Sequence, residues 1–125
     1  MLRNKIIISL IVITLIGVAA YIRFNKSSSS LSENEALSLL TNTIVQDSLY
    51  DSFTTLECLD FYNEEVTKEY VEFSIREIHG NGCEGDPSTS PRVDTYKIIR
   101  QSKNIFYQDW KDSSYIPYDP LKLRR

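Results

Sequence analysis

Hydrophobic and polar positions divide the chain into an apolar start and a mixed remainder. Arg3 and Lys5 precede residues 6–22, a run of seventeen without a charge. As a helix it would reach roughly 25 Å, the short end of a bilayer core. A secretory signal shares the basic start but has an apolar region of about 7–15 residues and a small-residue cleavage site. Val18-Ala19-Ala20 would supply such a site. Against removal, hydrophobicity resumes at Tyr21 and Ile22, and Arg23, Phe24 and Lys26 follow as interfacial anchors. Residues 1–26 are therefore expected to be a transmembrane anchor or, failing that, a cleaved signal. A buried terminal helix is the plain alternative, but the run is apolar on every side. No Cys stands near its end, which disfavours a lipid anchor.

After a serine run, with residues 27–31 as a flexible tether, the pattern changes. Ser32 and Glu35 form a capping box, with Leu31 and Ala36 placed as a hydrophobic staple. Leu37, Leu40, Ile44, Val45 and Leu49 recur at three- and four-residue spacing, which predicts an amphipathic helix ending near Tyr50. Residues 53–62 are rich in aromatic and β-forming types without clean alternation, and Asn63, Glu64 and Glu65 predict a polar turn. Residues 66–79 alternate clearly, with Val71, Phe73 and Ile75 on one face and Glu72, Ser74 and Arg76 on the other. Residues 80–92 form a breaker-rich loop with three Gly and two Pro. Two more strands are expected over 93–100 and 105–110, joined by a turn at 101–104, and the tail 111–125 reads as irregular or extended.

One helix followed by four strands predicts an α+β domain over residues 32–125, the helix packed on a four-stranded antiparallel meander. Leu37, Leu40 and Ile44 should meet Val71, Phe73, Ile75, Tyr96 and Ile98, leaving the other sheet face wetter. A chain of 125 residues leaves room for one such core.

Charge and cysteine usage sharpen the setting. Between residues 27 and 121 seven basic side chains stand against all seventeen acidic ones, a net −10. Nucleic acid is excluded as a natural partner, since phosphate binding needs clustered Lys and Arg. A basic protein would be attracted, although plain solubility also accounts for the charge. Cys58 and Cys83 are an even count behind an export-type start, which favours an oxidising compartment and a disulfide between them. That bridge would contribute about 3 kcal/mol by loop closure. Two unrelated buried thiols are the alternative.

Catalytic constellations are thin. His79, Cys83 and Asp86 are zinc-ligand types, but they give three ligands at most, and a bridged Cys83 would not coordinate. His79 is the single histidine, and Ser88, Thr89 and Ser90 nearby lack a nucleophile-elbow context. Close carboxylates such as Glu64/Glu65 and Glu84/Asp86 arise by chance among seventeen. The Gly-rich loop lacks the Lys-Ser/Thr of a phosphate cradle and precedes a strand. The expectation is no enzyme, no metal and no cofactor. Asp86-Pro87 and Ser90-Pro91 instead predict a rigid loop, suited to recognition or to capping the sheet edge.

The stretch HGNGCEGDPSTSPRVDTYKI resembles a signature of small, functionally uncharacterised bacterial envelope proteins. That signature is a Cys-Gly-Gly-Asp-Pro-x-Thr-x-Pro loop, an Asp-x-Phe/Tyr strand and a last strand with an aromatic end. The match falls at Cys83, Gly85, Asp86, Pro87, Thr89, Pro91, Asp94 and Tyr96, and departs at Glu84, where the signature has Gly. The helix-then-meander order is similar, more loosely, to PepSY-like and cystatin-like domains. The resemblance implies an exported domain of a Gram-negative envelope with no catalytic residues to carry over. Some small domains of this kind inhibit, or give immunity against, cell-wall hydrolases, an analogy only, because fold does not fix function.

The expectation is a module tethered by residues 6–22 to the inner membrane, single-pass, with its carboxyl-terminal domain in the periplasm, or released there after signal cleavage. It would bind a protein partner through Glu84, Asp86 and Thr89 of the loop and Tyr70, Glu72 and Arg76 of the open sheet face. An inhibitor or immunity role against an envelope-acting enzyme is the leading reading. An accessory subunit of an envelope complex is the alternative, and a carboxylate hydrolase of wall polysaccharide a distant third.

Overall fold

Ser32 begins the first helix as the capping box requires. Its hydroxyl accepts from the Glu35 amide at 3.3 Å, and the Glu35 carboxylate accepts from the Ser32 amide at 2.7 Å. The computed structural model describes residues 29–123, so the expected membrane segment and residues 27 and 28 of the tether lie outside the described residues. Among the described residues no helix is long and apolar enough to cross a membrane.

Helix α1 spans Glu33–Gln46, one turn shorter than its apolar pattern predicts. Its end is built by Ser48, which takes a left-handed φ of 49°. The Ser48 amide bonds Val45 O at 3.1 Å and the Leu49 amide bonds Ile44 O at 3.1 Å, a Schellman closure normally made by Gly. Leu49 and Tyr50 then turn into the core instead of extending the helical stripe. The buried stripe is Ala36, Leu40 and Ile44; Leu37 is only half-buried, and Val45 lies outside the core at 55% exposure.

A 3-10 turn at Leu56–Cys58 leads into a five-stranded antiparallel sheet in the order β1-β2-β3-β4-β5. The strands are β1 (Leu59–Val66), β2 (Tyr70–Glu77), β3 (Arg92–Ile99), β4 (Ile105–Gln108) and β5 (Tyr115–Pro117), with a short helix α2 at Pro120–Leu123. Three sequence expectations are corrected. The strand expected over 53–62 starts only at Leu59. Asn63, Glu64 and Glu65 lie within β1, where the register shifts between Asn63 and Glu65. The turn falls instead at Thr67, whose hydroxyl accepts from the amides of Glu69 (3.1 Å) and Tyr70 (3.0 Å), so its side chain fixes the hairpin. The tail also supplies a fifth strand to the expected four. Asp109 and Asp112 carboxylates accept from the amides of Lys111 and Ser114, which turns the chain back along β4. Pro117 ends this strand at the sheet edge, where its missing N–H breaks no ladder.

Register places the core. Val71 pairs with Ile98 and Phe73 with Tyr96, and these four are buried with Ile75 against Leu40 and Ile44. Each such side chain contributes about 1.5–3 kcal/mol by leaving water. The core is closed by a polar knot: the Tyr50 hydroxyl lies 2.7 Å from that of Tyr96 and donates to Asp94 Oδ2 at 2.8 Å. Burial, and next the Tyr96 and Asp94 neighbours, push the Tyr50 hydroxyl far above the usual phenol range, so it stays a neutral donor. The opposite sheet face is less wet than expected, because Ser74 and Thr95 at its centre are buried.

Arg100 fixes where the chain enters. Leu31 donates to Arg100 O at 3.0 Å, and the Arg100 guanidinium donates to Leu31 O at 2.7 Å and to Thr67 O. Entry therefore sits beside the β1–β2 and β3–β4 turns. Residues 51–58, residues 78–91 and the 109–114 turn lie at the other end of the strands, roughly 25 Å away for an eight-residue strand.

Candidate functional site

The end remote from the entry point is built around a staple and a histidine. Gly80 and Cys83 exchange two backbone hydrogen bonds at 3.0 Å, and Asn81 and Gly82 between them have φ of 53° and 97°. This is the Asn-Gly turn in which both central residues need positive φ. It carries Cys83 to Cys58, with the sulfurs at bonding distance and the Cα atoms 5.6 Å apart. Beside it, Ile78 donates to Cys58 O at 2.8 Å and extends the pairing of β1 with β2.

The rest of the loop wraps His79, whose side chain is 10% exposed. Its Nε2 meets Glu77 Oε2 at 2.8 Å, and its Nδ1 meets Thr89 Oγ1 at 2.8 Å and Asp86 O at 3.1 Å. Gly85 lies on the ring so closely that an added Cβ would come within 2.6 Å of three ring atoms. The Asp86 carboxylate accepts from the Ser88 amide at 2.9 Å and the Ser88 hydroxyl at 2.8 Å, and Thr89 Oγ1 donates to Asp86 O at 2.9 Å. These bonds act on titration in opposite directions. The hydrogen bond with Glu77 is the main cause raising His79 above the ordinary imidazole range. The Ser88 bonds, with a smaller share from His79, hold Asp86 below the ordinary carboxylate range.

Between residues 51–58 and 77–85 this arrangement opens a groove of about 920 Å³. Phe53 and Ile78 line it with the disulfide, and Asp51, Glu77 and Glu84 supply its acidic groups. Phe53, Leu56 and Ile78 are 48%, 41% and 37% exposed, three of the larger apolar side chains left to solvent on this end. Phe53 is not loose: its ring packs edge-on to buried Tyr50 at 5.7 Å. Among the described residues lining the groove no Lys or Arg occurs, and among them no group of three or more His, Cys, Asp and Glu converges to hold a metal ion.

The six residues expected to bind a partner fall in three places. Glu84 lines the groove. Asp86 and Thr89 form the loop's internal bonds to Ser88 and His79. Tyr70 and Glu72 surround Lys97 on the open sheet face: the ammonium lies 3.4 Å from Glu72 Oε2, 4.4 Å from the Tyr70 ring centroid and 3.9 Å from that of Tyr115. Tyr70 also donates to Glu65 Oε2 at 2.7 Å, which raises its phenol. Arg76 joins face to loop, lying over the Tyr62 ring at 5.7 Å and donating to Ser90 O at 3.3 Å. Sequence reasoning missed Asp51, Phe53 and Ile78 as site residues, because it read residues 53–62 and 66–79 as strands without fixing which side chains would stay exposed at their ends. The one available signal was the broken alternation of residues 53–62.

The comparisons leave the site to stand on its own geometry: no family model, no curated protein and no solved structure matches the chain.

Proposed function

We propose that this chain is a membrane-tethered binding module of the bacterial cell envelope that engages a basic protein partner at the remote groove. The meeting of exposed Phe53 and Ile78 with acidic Asp51, Glu77 and Glu84 in one groove carries this reading. Apolar side chains supply the desolvation energy of such a contact, and the carboxylates favour basic partners and speed encounter. The disulfide and the His79 clasp pre-order the wall, which lowers the entropy lost on binding. The groove lies at the end away from chain entry, where a tethered domain would reach outward. An inhibitor or immunity role against an envelope-acting enzyme fits such a surface and the loop's resemblance to envelope proteins.

The test is photo-crosslinking in the native cells, with a benzoylphenylalanine at position 53 or 78 of the full chain and at exposed position 68 as the control. The expected result is a discrete adduct from 53 and 78, absent from 68 and weakened by raised salt. Equal yields from all three positions, or none from any, would sink the reading.

Trp110 and Leu121 favour the accessory-subunit reading as a second one. They are 79% and 77% exposed and are not among the residues that line the groove. Replacing residues 1–26 by an unrelated anchor separates the two readings, because a groove binder keeps its phenotype and a membrane assembly partner loses it.

A further inference from the structure

The acceptors around His79 specify more than a rigid loop. Nε2 faces a carboxylate oxygen of Glu77, which only accepts unless protonated. Nδ1 faces the Asp86 carbonyl, which only accepts, and the Thr89 hydroxyl, whose proton is directed to that same carbonyl. A neutral imidazole has one N–H and one lone pair, so it would turn a lone pair toward one of these acceptors. Turning the Thr89 hydroxyl to donate to Nδ1 does not remove the conflict, since the Asp86 carbonyl still faces the lone pair at 3.1 Å. The doubly protonated ring satisfies every contact.

We propose that His79 is a protonation-dependent clasp: as imidazolium it closes residues 80–91 onto the end of β2 and forms the groove wall, and on losing its proton it lets that wall open. The inference rests on the groove reading for its consequence, regulation of binding by pH, but the clasp itself is testable without a partner. Groups facing the ring agree in sign. Glu77 on β2 and Asp86 in the loop both favour the cation, and Asp51 and Glu84 line the same groove. Gly85 against the ring couples the two, because movement of the imidazole moves the loop backbone. The Cys58–Cys83 bridge limits the response, so opening is local and reversible.

The direction follows from linkage. His79 is raised in the folded protein above the ordinary imidazole value of about 6.5, so its contribution is complete below that pH and is lost as pH rises through the folded value. Each pH unit between the two values corresponds to a tenfold change in the closing equilibrium.

The experiment is nuclear magnetic resonance on the isotopically labelled full chain in detergent micelles. The expected result is protonation of both ring nitrogens at pH 6 and a His79 midpoint above 6.5. Hydrogen-exchange protection factors of the bonded Gly80, Cys83 and Thr89 amides should fall across that midpoint, about tenfold for each pH unit by which it exceeds 6.5. Glu77→Gln should lower the midpoint and move the loss of protection with it. A midpoint at or below 6.5, or protection unchanged across the titration, overturns the clasp. A Lys-Leu-Lys-Phe-Lys peptide serves as a probe of the groove in the same samples. Peptide-induced shifts at Phe53, Ile78 and Glu84 with a flat His79 titration overturn the clasp alone. An intact titration without such shifts overturns the groove reading and leaves the clasp standing.

Discussion

Residue by residue, the loop from Cys83 to Thr89 acquires a physical meaning. Cys83 is the staple, Gly85 is the seat of the imidazole, Asp86 ties Ser88, and Thr89 holds Nδ1. Asp86 and Thr89 act within the loop, and Glu84 lines the groove. Gly85 is the sharpest test. Its φ of 110° disfavours any side chain, and a methyl there would displace His79. Gly85→Ala is expected to destabilise the domain by about 1–3 kcal/mol and to lower protection of the bonded Gly80 and Cys83 amides. Urea titration followed by circular dichroism reads the first effect and hydrogen exchange the second. The residues of this clasp were legible in the sequence as a rigid loop, but their centre was not. A lone histidine at a strand end looks like any surface histidine until the chain ten residues later folds back on it.

At the level of elements, stop signals were harder to read than start signals. The capping box of α1 is local, Ser32 and Glu35 bonding each other three residues apart, so it is visible in the letters. Its end is equally local in geometry but uses Ser48 where Gly is the usual sign. Ser48→Gly should therefore raise stability by about 0.5–1 kcal/mol, since glycine takes the left-handed conformation without a Cβ penalty. The midpoint of urea unfolding checks it, and a decrease would mean that the Ser48 side chain has a role of its own. The misplaced β1–β2 turn has a similar cause. Three consecutive polar residues at 63–65 outweighed a single Thr67 by composition, yet Thr67 bonds the turn and the polar residues sit on an edge strand that solvent tolerates.

For the whole molecule, a core shared by one helix and a five-stranded sheet is small, and the staple matters accordingly. The bridge joins residues separated by 25 positions, so its removal should cost about 3 kcal/mol through the entropy of the unfolded chain. Cys58→Ser with Cys83→Ser, or reductant on the native chain, is expected to lower the unfolding free energy by that amount, read as a lower midpoint in urea titration. The same treatment should raise exchange at Ile78, whose amide bonds Cys58 O. An unchanged midpoint would show that the His79 clasp and sheet pairing suffice without the bond.

The sequence by itself determined the class and the core: capping, helical periodicity, strict alternation in β2, and an even cysteine pair are short-range or pairwise signals. They specified an α+β domain with Leu40, Ile44, Val71, Phe73, Ile75, Tyr96 and Ile98 inside. Tertiary structure decided the rest. Whether Phe53, Leu56 and Ile78 join that core or remain at the surface depends on how much sheet face one helix covers. Whether residues 111–123 add a strand depends on the free edge of β4. The His79 clasp needs β2, the Asn-Gly turn and the Asp86–Thr89 segment brought together at once. Hydrophobicity ranks side chains by their tendency to leave water, but only the closed packing sets which ones run out of partners and remain at the surface to meet another molecule.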